Sequence, residues 1–297
     1  MRRLVQPGPV AAARSESFAA VGRVLDYDLA QGANLIEALT GPLLAAGFRS
    51  ASITFAGAAL HPFRYVLPGP PRDGTHVAWF SDPHLPAGDP ARATRVETAN
   101  ATFGWRDGTP FVHCHGVWTE PDGTRRGGHM LPEETFLAAP APARAWGLAV
   151  AAIRVDPDPE TNFPLFHPVA AEEPAGVAIA GRPARLVVAR VRPNEEIGAA
   201  LVALCRRHGL HGAAVRGSLG SLIGAAFADG RTVADPATEV LVREGRIAPG
   251  PGGALAAELD LVVVDGAGHP HAGRLAPREN AVCITFEVML EAEPAAG

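Results

Sequence analysis

Two stretches of the chain repeat one pattern of apolar and polar positions. In each, a short apolar segment opened by Arg (Arg23-Val24-Leu25-Asp26-Tyr27, then Arg185-Leu186-Val187-Val188-Ala189) precedes a longer amphipathic run. That run, Asn34 to Phe48, aligns without gaps on Glu196 to Leu210. Further on, Phe111 to Glu134 aligns in the same way on Ala256 to Glu279, matching Val117 with Val262, Gly123 with Gly268, Gly128 with Gly273, Pro132 with Pro277 and Glu134 with Glu279. Separate blocks in the same order and spacing indicate two copies of one domain.

In copy one the pattern predicts a loose arm over 1–20, a strand over 22–29 and a helix over 32–46 closed by Gly47, a sound C-cap residue. Strands follow at 49–56 and 60–67, then loops at 68–75 and 83–92, a hairpin, and closing strands at 134–139 and 145–153. Copy two repeats the order: strand 185–191, helix 194–208, strand 212–216, the Gly-rich turn Gly217-Ser218-Leu219-Gly220-Ser221, and strands 222–228, 239–244, 255–265 and 281–291. Sequential hairpins with one main helix per copy predict an α+β fold with a largely antiparallel sheet in each domain. The domains are expected at 20–155 and 185–293, joined by a linker over 156–184. Copy one is the longer between helix and hairpin, so its loops over 68–92 are insertions, either a lid over the site described next or plain surface decoration.

The hairpin carries the candidate chemistry. Gly108-Thr109-Pro110 opens a β-favouring run, and Glu120-Pro121-Asp122-Gly123 supplies turn residues in the right order. If Glu120 pairs with Thr124, the register sets His129 opposite His115. Side chains alternate along a strand, so His113 and His115 share one face, and a cross-strand partner shares it too. Three imidazoles on one patch suit Zn²⁺ or another borderline divalent ion. Cys114 points to the other face and is expected as a buried thiol, not a ligand. In copy two the same positions hold Glu258, Asp260 and Arg274, where a partly buried ion pair between Asp260 and Arg274 would replace the metal. Only copy one is expected to hold metal.

Composition narrows the class. The chain has 297 residues, enough for two ordinary domains, and 47% of them are hydrophobic while only 6% are aromatic, so the cores are mainly aliphatic. No stretch reaches the length of a membrane span. The segment from Met1 to Pro9 has charge but no apolar region after it, unlike a secretory signal. Cys114, Cys205 and Cys283 are odd in number and far apart, which fits a reduced, cytoplasmic protein.

The Arg-opened strand, the early helix and Pro110-Phe111-Val112-His113-Cys114-His115 with its Pro-Asp-Gly turn and Gly127-Gly128-His129-Met130-Leu131 together resemble the plant-and-prokaryote conserved (PPC) domain, which plants join to AT-hook motifs. Copy two resembles it through Gly217-Ser218-Leu219-Gly220-Ser221 and Ala272-Gly273, without the histidines. The resemblance implies a compact α/β domain, trimer-type homo-oligomers, and a metal held by His113, His115 and His129. It also implies a DNA-binding label.

Against that label stand a net charge of −5 and fewer Lys and Arg (26) than Asp and Glu (31). Gly181-Arg182-Pro183 has an AT-hook core without a basic flank, and is expected as a strand-entry loop. Arg125-Arg126 and Arg206-Arg207 are pairs, not stripes. An open metal with three neutral ligands suits a metal-dependent hydrolase or lyase acting on, or binding, a small polar metabolite. Of the acid–base candidates, Glu134 recurs as Glu279 in the copy without a metal, and Glu120 is expected to be exposed in its turn. His61 remains as the catalytic acid–base or a fourth ligand. The alternatives are a DNA-binding transcriptional regulator and an assembly module with a stabilising metal. No dinucleotide fingerprint or Walker loop is present.

Overall fold

Both Arg-opened segments become long strands, and they lie side by side. Ser15–Leu29 (β1) runs antiparallel to Arg182–Val191, with Val21 opposite Arg185 and Phe18 opposite Val188. The computed structural model describes residues 1–170, 180–250 and 252–293. After β1 the first half contains α1 (Leu35–Ala45), β2 (Ser50–Phe55), β3 (Thr94–Arg106), β4 (Thr109–Thr119), β5 (Arg125–Met130), β6 (Ala141–Leu148), β7 (Ala151–Pro157) and β8 (Pro164–Ala170). The second contains β9 (Arg182–Val191), α2 (Ile197–Arg207), β10 (Ala213–Val215), β11 (Leu219–Leu222), β12 (Thr238–Pro249), β13 (Leu255–Val264), β14 (Pro270–Arg274) and β15 (Val282–Ala292).

Outward from the β1–β9 seam the first half continues through β6, β2, β3, β4 and β5. On the other side the second half continues through β15, then β10 and β11, then β12, β13 and β14. All of these pairings are antiparallel, within one 17-stranded sheet. The expected α+β class is therefore corrected: strands make up 52% and helix 9% of the structure, in one large sheet and not one per domain. The reason is the seam. An Arg-opened apolar strand at the edge of either half offers unpaired backbone groups, and pairing the two edges removes both.

The helices are short, and each buries one face. Asn34 caps α1 by accepting from the Glu37 amide at 2.8 Å, and Gly47 follows the helix at φ +85°. Leu35, Leu39 and Leu43 are buried in the first core; Ile197, Leu201 and Cys205 occupy the matching places in the second, with Leu204 buried beside them. Each such leucine contributes roughly 1.5–3 kcal/mol by burial. A third, small core forms where the halves meet, from Val117 on β4 and Leu219, Leu241, Val262 and Val264 on β11, β12 and β13.

Some segments depart from the pattern. The 1–20 arm is not loose: β1 starts at Ser15, and ahead of it Arg2 donates to Val233 O (2.9 Å) and Gln6 to Cys283 O (2.9 Å). The central strand β3 was not foreseen, because Thr94-Arg-Val-Glu-Thr-Ala-Asn-Ala-Thr buries Ala, Thr and Asn in place of alternating large apolar residues. β8 lies within the 156–184 segment and pairs with β7.

Candidate metal centre between the halves

The hairpin has the register its turn chemistry dictates. The Glu120 amide donates to Thr124 O (2.8 Å), Gly123 sits at φ +91°, and His115 lies directly opposite His129. Alternation then brings His113 to the same face, and one ring nitrogen from each of the three histidines lies within 4.8 Å of the others. Glycine at 127 lets the hairpin dock: a Cβ there would stand 2.7 Å from Val264 Cγ2, and the Gly127 amide donates to Gly268 O at 3.0 Å.

The second half covers the face that carries the histidines. His115 is buried; its Nδ1 lies 3.0 Å from Val240 O, which fixes that nitrogen as the donor and turns Nε2 toward the cluster. His113 Nδ1 lies 2.8 Å from Glu287 Oε1 on β15, so its Nε2 also turns inward, 2.9 Å from His115 Nε2. Glu239, on β12, sets Oε2 2.6 Å from His115 Nε2. Burial would raise the Glu239 carboxyl, but the imidazolium form of His115 outweighs it and holds the carboxyl down at about 2. Burial works to lower His115, and the Glu239 charge outweighs it and raises that imidazole above its ordinary value. His129 moves the other way: burial first, then repulsion from His113 and His115, hold it well below the ordinary imidazole value. It is a neutral ring with a lone pair to offer.

Of the other site candidates, His61 is exposed and outside the histidine group. Glu134 is half-exposed and pairs with Arg64 at 3.0 Å. Glu120, expected at the surface, is buried: it accepts from Tyr65 Oη (2.8 Å) and from the Ala87 amide (3.1 Å) of an inserted loop. That loop docks on the turn of the hairpin, with the Asp122 amide donating to Ala87 O (3.3 Å). It is β12 and β15 that lie against the histidines, and Glu239, Glu287 and Val240 were missed because they lie more than 100 residues away in sequence. Cys114 is buried on the opposite face, against Met130.

Copy two keeps the hairpin register, with Asp260 opposite Arg274, but not the expected ion pair. Asp260 accepts from Arg243 (2.7 Å), while Arg274 stands 3.7 Å from Glu258 with both side chains about two-thirds exposed (62% and 67%). These charges lie at the surface, where water serves them. Gly181-Arg182-Pro183 enters β9 as a strand start, and Arg182 pairs with Glu291 at 2.7 Å.

An open groove of about 1210 Å³ runs between the halves beside this centre. Arg125, Arg144, Arg182, Arg216 and Arg243 line it, together with Asn100, the cross-strand partner of His115. Each of those arginines has a carboxylate partner: Glu97, Asp26, Glu291 (for both Arg182 and Arg216) and Asp260.

A mostly antiparallel β protein with a three-histidine cluster is the class defined so far. Residues 178–293 match the family model of the Plants and Prokaryotes Conserved (PCC) domain. Among solved structures it is similar to the metal-containing protein of Archaeoglobus fulgidus (18% identity, 50% of this chain and 94% of that one, TM-score 0.37). It is also similar to a PPC protein of Pyrococcus horikoshii (17%, 50% and 94%, TM-score 0.38) and to a candidate DNA-binding protein of Ralstonia eutropha (20%, 48% and 88%, TM-score 0.34). No curated protein matches the sequence. Among the described residues no helix is long and apolar enough to cross a membrane.

Proposed function

We propose that this protein binds one divalent cation, zinc foremost, through His113, His115 and His129, and that the ion clasps its two halves together. On this reading residues 20–155 are a second, metal-bearing copy of the domain at 185–293, joined to it through 156–184. The observation that carries the proposal is the convergence of three imidazole nitrogens within 4.8 Å, two of them turned inward by hydrogen bonds on their far nitrogens. Such outer contacts are what orient histidine ligands in metal sites. Hydrolase or lyase chemistry needs an open coordination position and a base within reach. Here β12 and β15 lie against the cluster, and His61 is on the surface elsewhere, so a stabilising ion fits the surroundings better than a reacting one. Metal analysis of the purified chain tests this. About one equivalent per chain is expected, lost in His113→Ala or His129→Ala; two equivalents, or unchanged content in those variants, would overturn it.

DNA binding is the second reading, and the arginine-lined groove favours it. The overall acidic balance does not decide the matter, because five arginines gather on this one surface. Binding would require phosphates to exchange with their carboxylate partners. The Ralstonia eutropha protein is named for DNA binding, and in this chain Arg144, Arg182 and Arg216 are the residues to test. On this reading duplex DNA binds with sub-micromolar affinity, a steep salt dependence and a loss on replacing these three arginines. Binding no tighter than the ~10⁻⁴ to 10⁻⁶ M of non-specific contacts would remove it.

A further inference from the structure

We infer that Glu239 is the fourth ligand of the metal centre, so that the second half of the chain supplies a first-sphere donor to an ion otherwise held by the first. This rests on the three-histidine reading above and goes beyond it. The argument is a count of protons against lone pairs. His115 commits its Nδ1–H to Val240 O, and His113 commits its Nδ1–H to Glu287. On the inner side one ring nitrogen of each of the three histidines lies within 4.8 Å of the others, and Glu239 Oε2 stands 2.6 Å from His115 Nε2.

His115 Nε2 is 2.6 Å from the Glu239 oxygen and 2.9 Å from His113 Nε2. A single proton on that nitrogen cannot point at both. Several acceptors therefore share one hydrogen in a largely buried space, an arrangement that is costly without a cation and favourable around one. Three imidazoles and one carboxylate supply four donors of types that zinc accepts, the number a tetrahedral site needs.

Glu287 has a different part. It binds the far nitrogen of His113, so it orients that ring and does not face the ion: it is a positioning residue. Glu239 and Val240 are adjacent in sequence, and between them they reach both nitrogens of His115. The Val240 carbonyl takes Nδ1 and the Glu239 carboxylate approaches Nε2. Strand β12 provides for this because the backbone carbonyl lies in the sheet edge direction while the Glu239 side chain projects from its face. Copy one could not supply this donor from its own hairpin.

The test titrates Zn²⁺, in competition with a chromophoric chelator, against the whole wild-type chain and the variants Glu239→Gln, Glu287→Gln and His129→Ala. X-ray absorption at the zinc edge is recorded on the loaded forms. If Glu239 is a ligand, Glu239→Gln weakens affinity by more than the 10–100-fold typical of an outer-sphere change, and the zinc loses one oxygen neighbour near 2.0–2.2 Å. Glu287→Gln stays within that 10–100-fold range and keeps the same neighbours. If wild type binds, His129→Ala does not, and Glu239→Gln is within threefold of wild type, the inference is wrong while the three-histidine site stands. If wild type takes up no zinc at all, both fail. Should Glu239→Gln not fold, a zinc-soaked crystal of the wild-type chain decides: a carboxylate oxygen within coordination distance supports the assignment, and one beyond 3 Å rejects it.

Discussion

Asn100 stands directly across the β3–β4 ladder from His115 and spends its side-chain amide on the other half of the protein, donating to Ser218 O (2.9 Å) and Val242 O (2.7 Å). One buried amide thus reaches two carbonyls of the other half, of which Ser218 O also accepts from the Val242 amide (2.9 Å). Asn100→Ala should lower stability by about 1–3 kcal/mol per carbonyl left unsatisfied. Asn100→Asp should cost more, because a carboxylate offers acceptors to acceptors. Denaturant midpoints at constant m-value check both; equal stability of Asn100→Asp and wild type would show that the halves do not meet here as described.

What was legible in the sequence was local. The Pro121-Asp122-Gly123 turn fixes a register, the register sets His129 opposite His115, and alternation adds His113, so the cluster follows from a short stretch of chain. Helix α1 was legible for the same reason, from Asn34 at its start to Gly47 beyond its end. The single joined sheet was not, because two edge strands that pair in register carry no mark of their partner. Nor were Glu239, Glu287 and Asn100, which are ordinary polar residues until the halves meet. Strand β3 escaped because its burial is achieved with Ala, Thr and Asn between two neighbouring strands.

Arg274 shows how a correct register can still give the wrong energetics. It lies opposite Asp260 as the repeat dictates, yet it is mostly exposed and 3.7 Å from Glu258. An ion pair of this kind is worth about 0–1 kcal/mol. Arg274→Ala should therefore leave the thermal midpoint almost unchanged, and the zinc content too. A loss of several degrees would mean that the charge serves an interface with another copy of the chain.

The inserted loop depends on a buried carboxylate. Glu120 receives the Tyr65 hydroxyl and the Ala87 amide, with Arg126 3.6 Å away. Burial first, and then the Glu120 charge, push the Tyr65 hydroxyl well above the ordinary phenol range, so it remains a donor at any working pH. Glu120→Ala should cost about 1–3 kcal/mol for the donors stranded. Hydrogen exchange or limited proteolysis should report the release at residues 83–92 first, and an unchanged protection pattern there would refute the docking.

The strongest pH dependence should come from the far side of the β1–β9 seam. Asp158 is buried and accepts from both Arg190 and Arg192 at 2.8 Å, while Glu16 binds His167 (2.9 Å) and Arg192. Burial would raise these carboxyls, but for Asp158 the bond to Arg190, and for Glu16 the bond to His167, more than offset it and both are held below their ordinary values. A folded-state pKa below the unfolded one means that the unfolded chain binds more protons. The stabilisation is thus complete above the unfolded carboxylate range near pH ~4 and is lost as pH falls through the depressed folded values. The contribution of these two carboxylates should stay flat from neutral pH to about pH 5 and then drop steeply, while the depressed His129 adds a separate loss as pH falls below ~6.5. Asp158→Asn should lower stability at pH 7 by up to about 3–5 kcal/mol, since it removes the carboxylate that two buried guanidiniums share and leaves Arg190 with Glu16 only at 3.7 Å, and it should flatten the acid limb. An acid limb as steep in Asp158→Asn as in wild type would place the responsible carboxylates elsewhere.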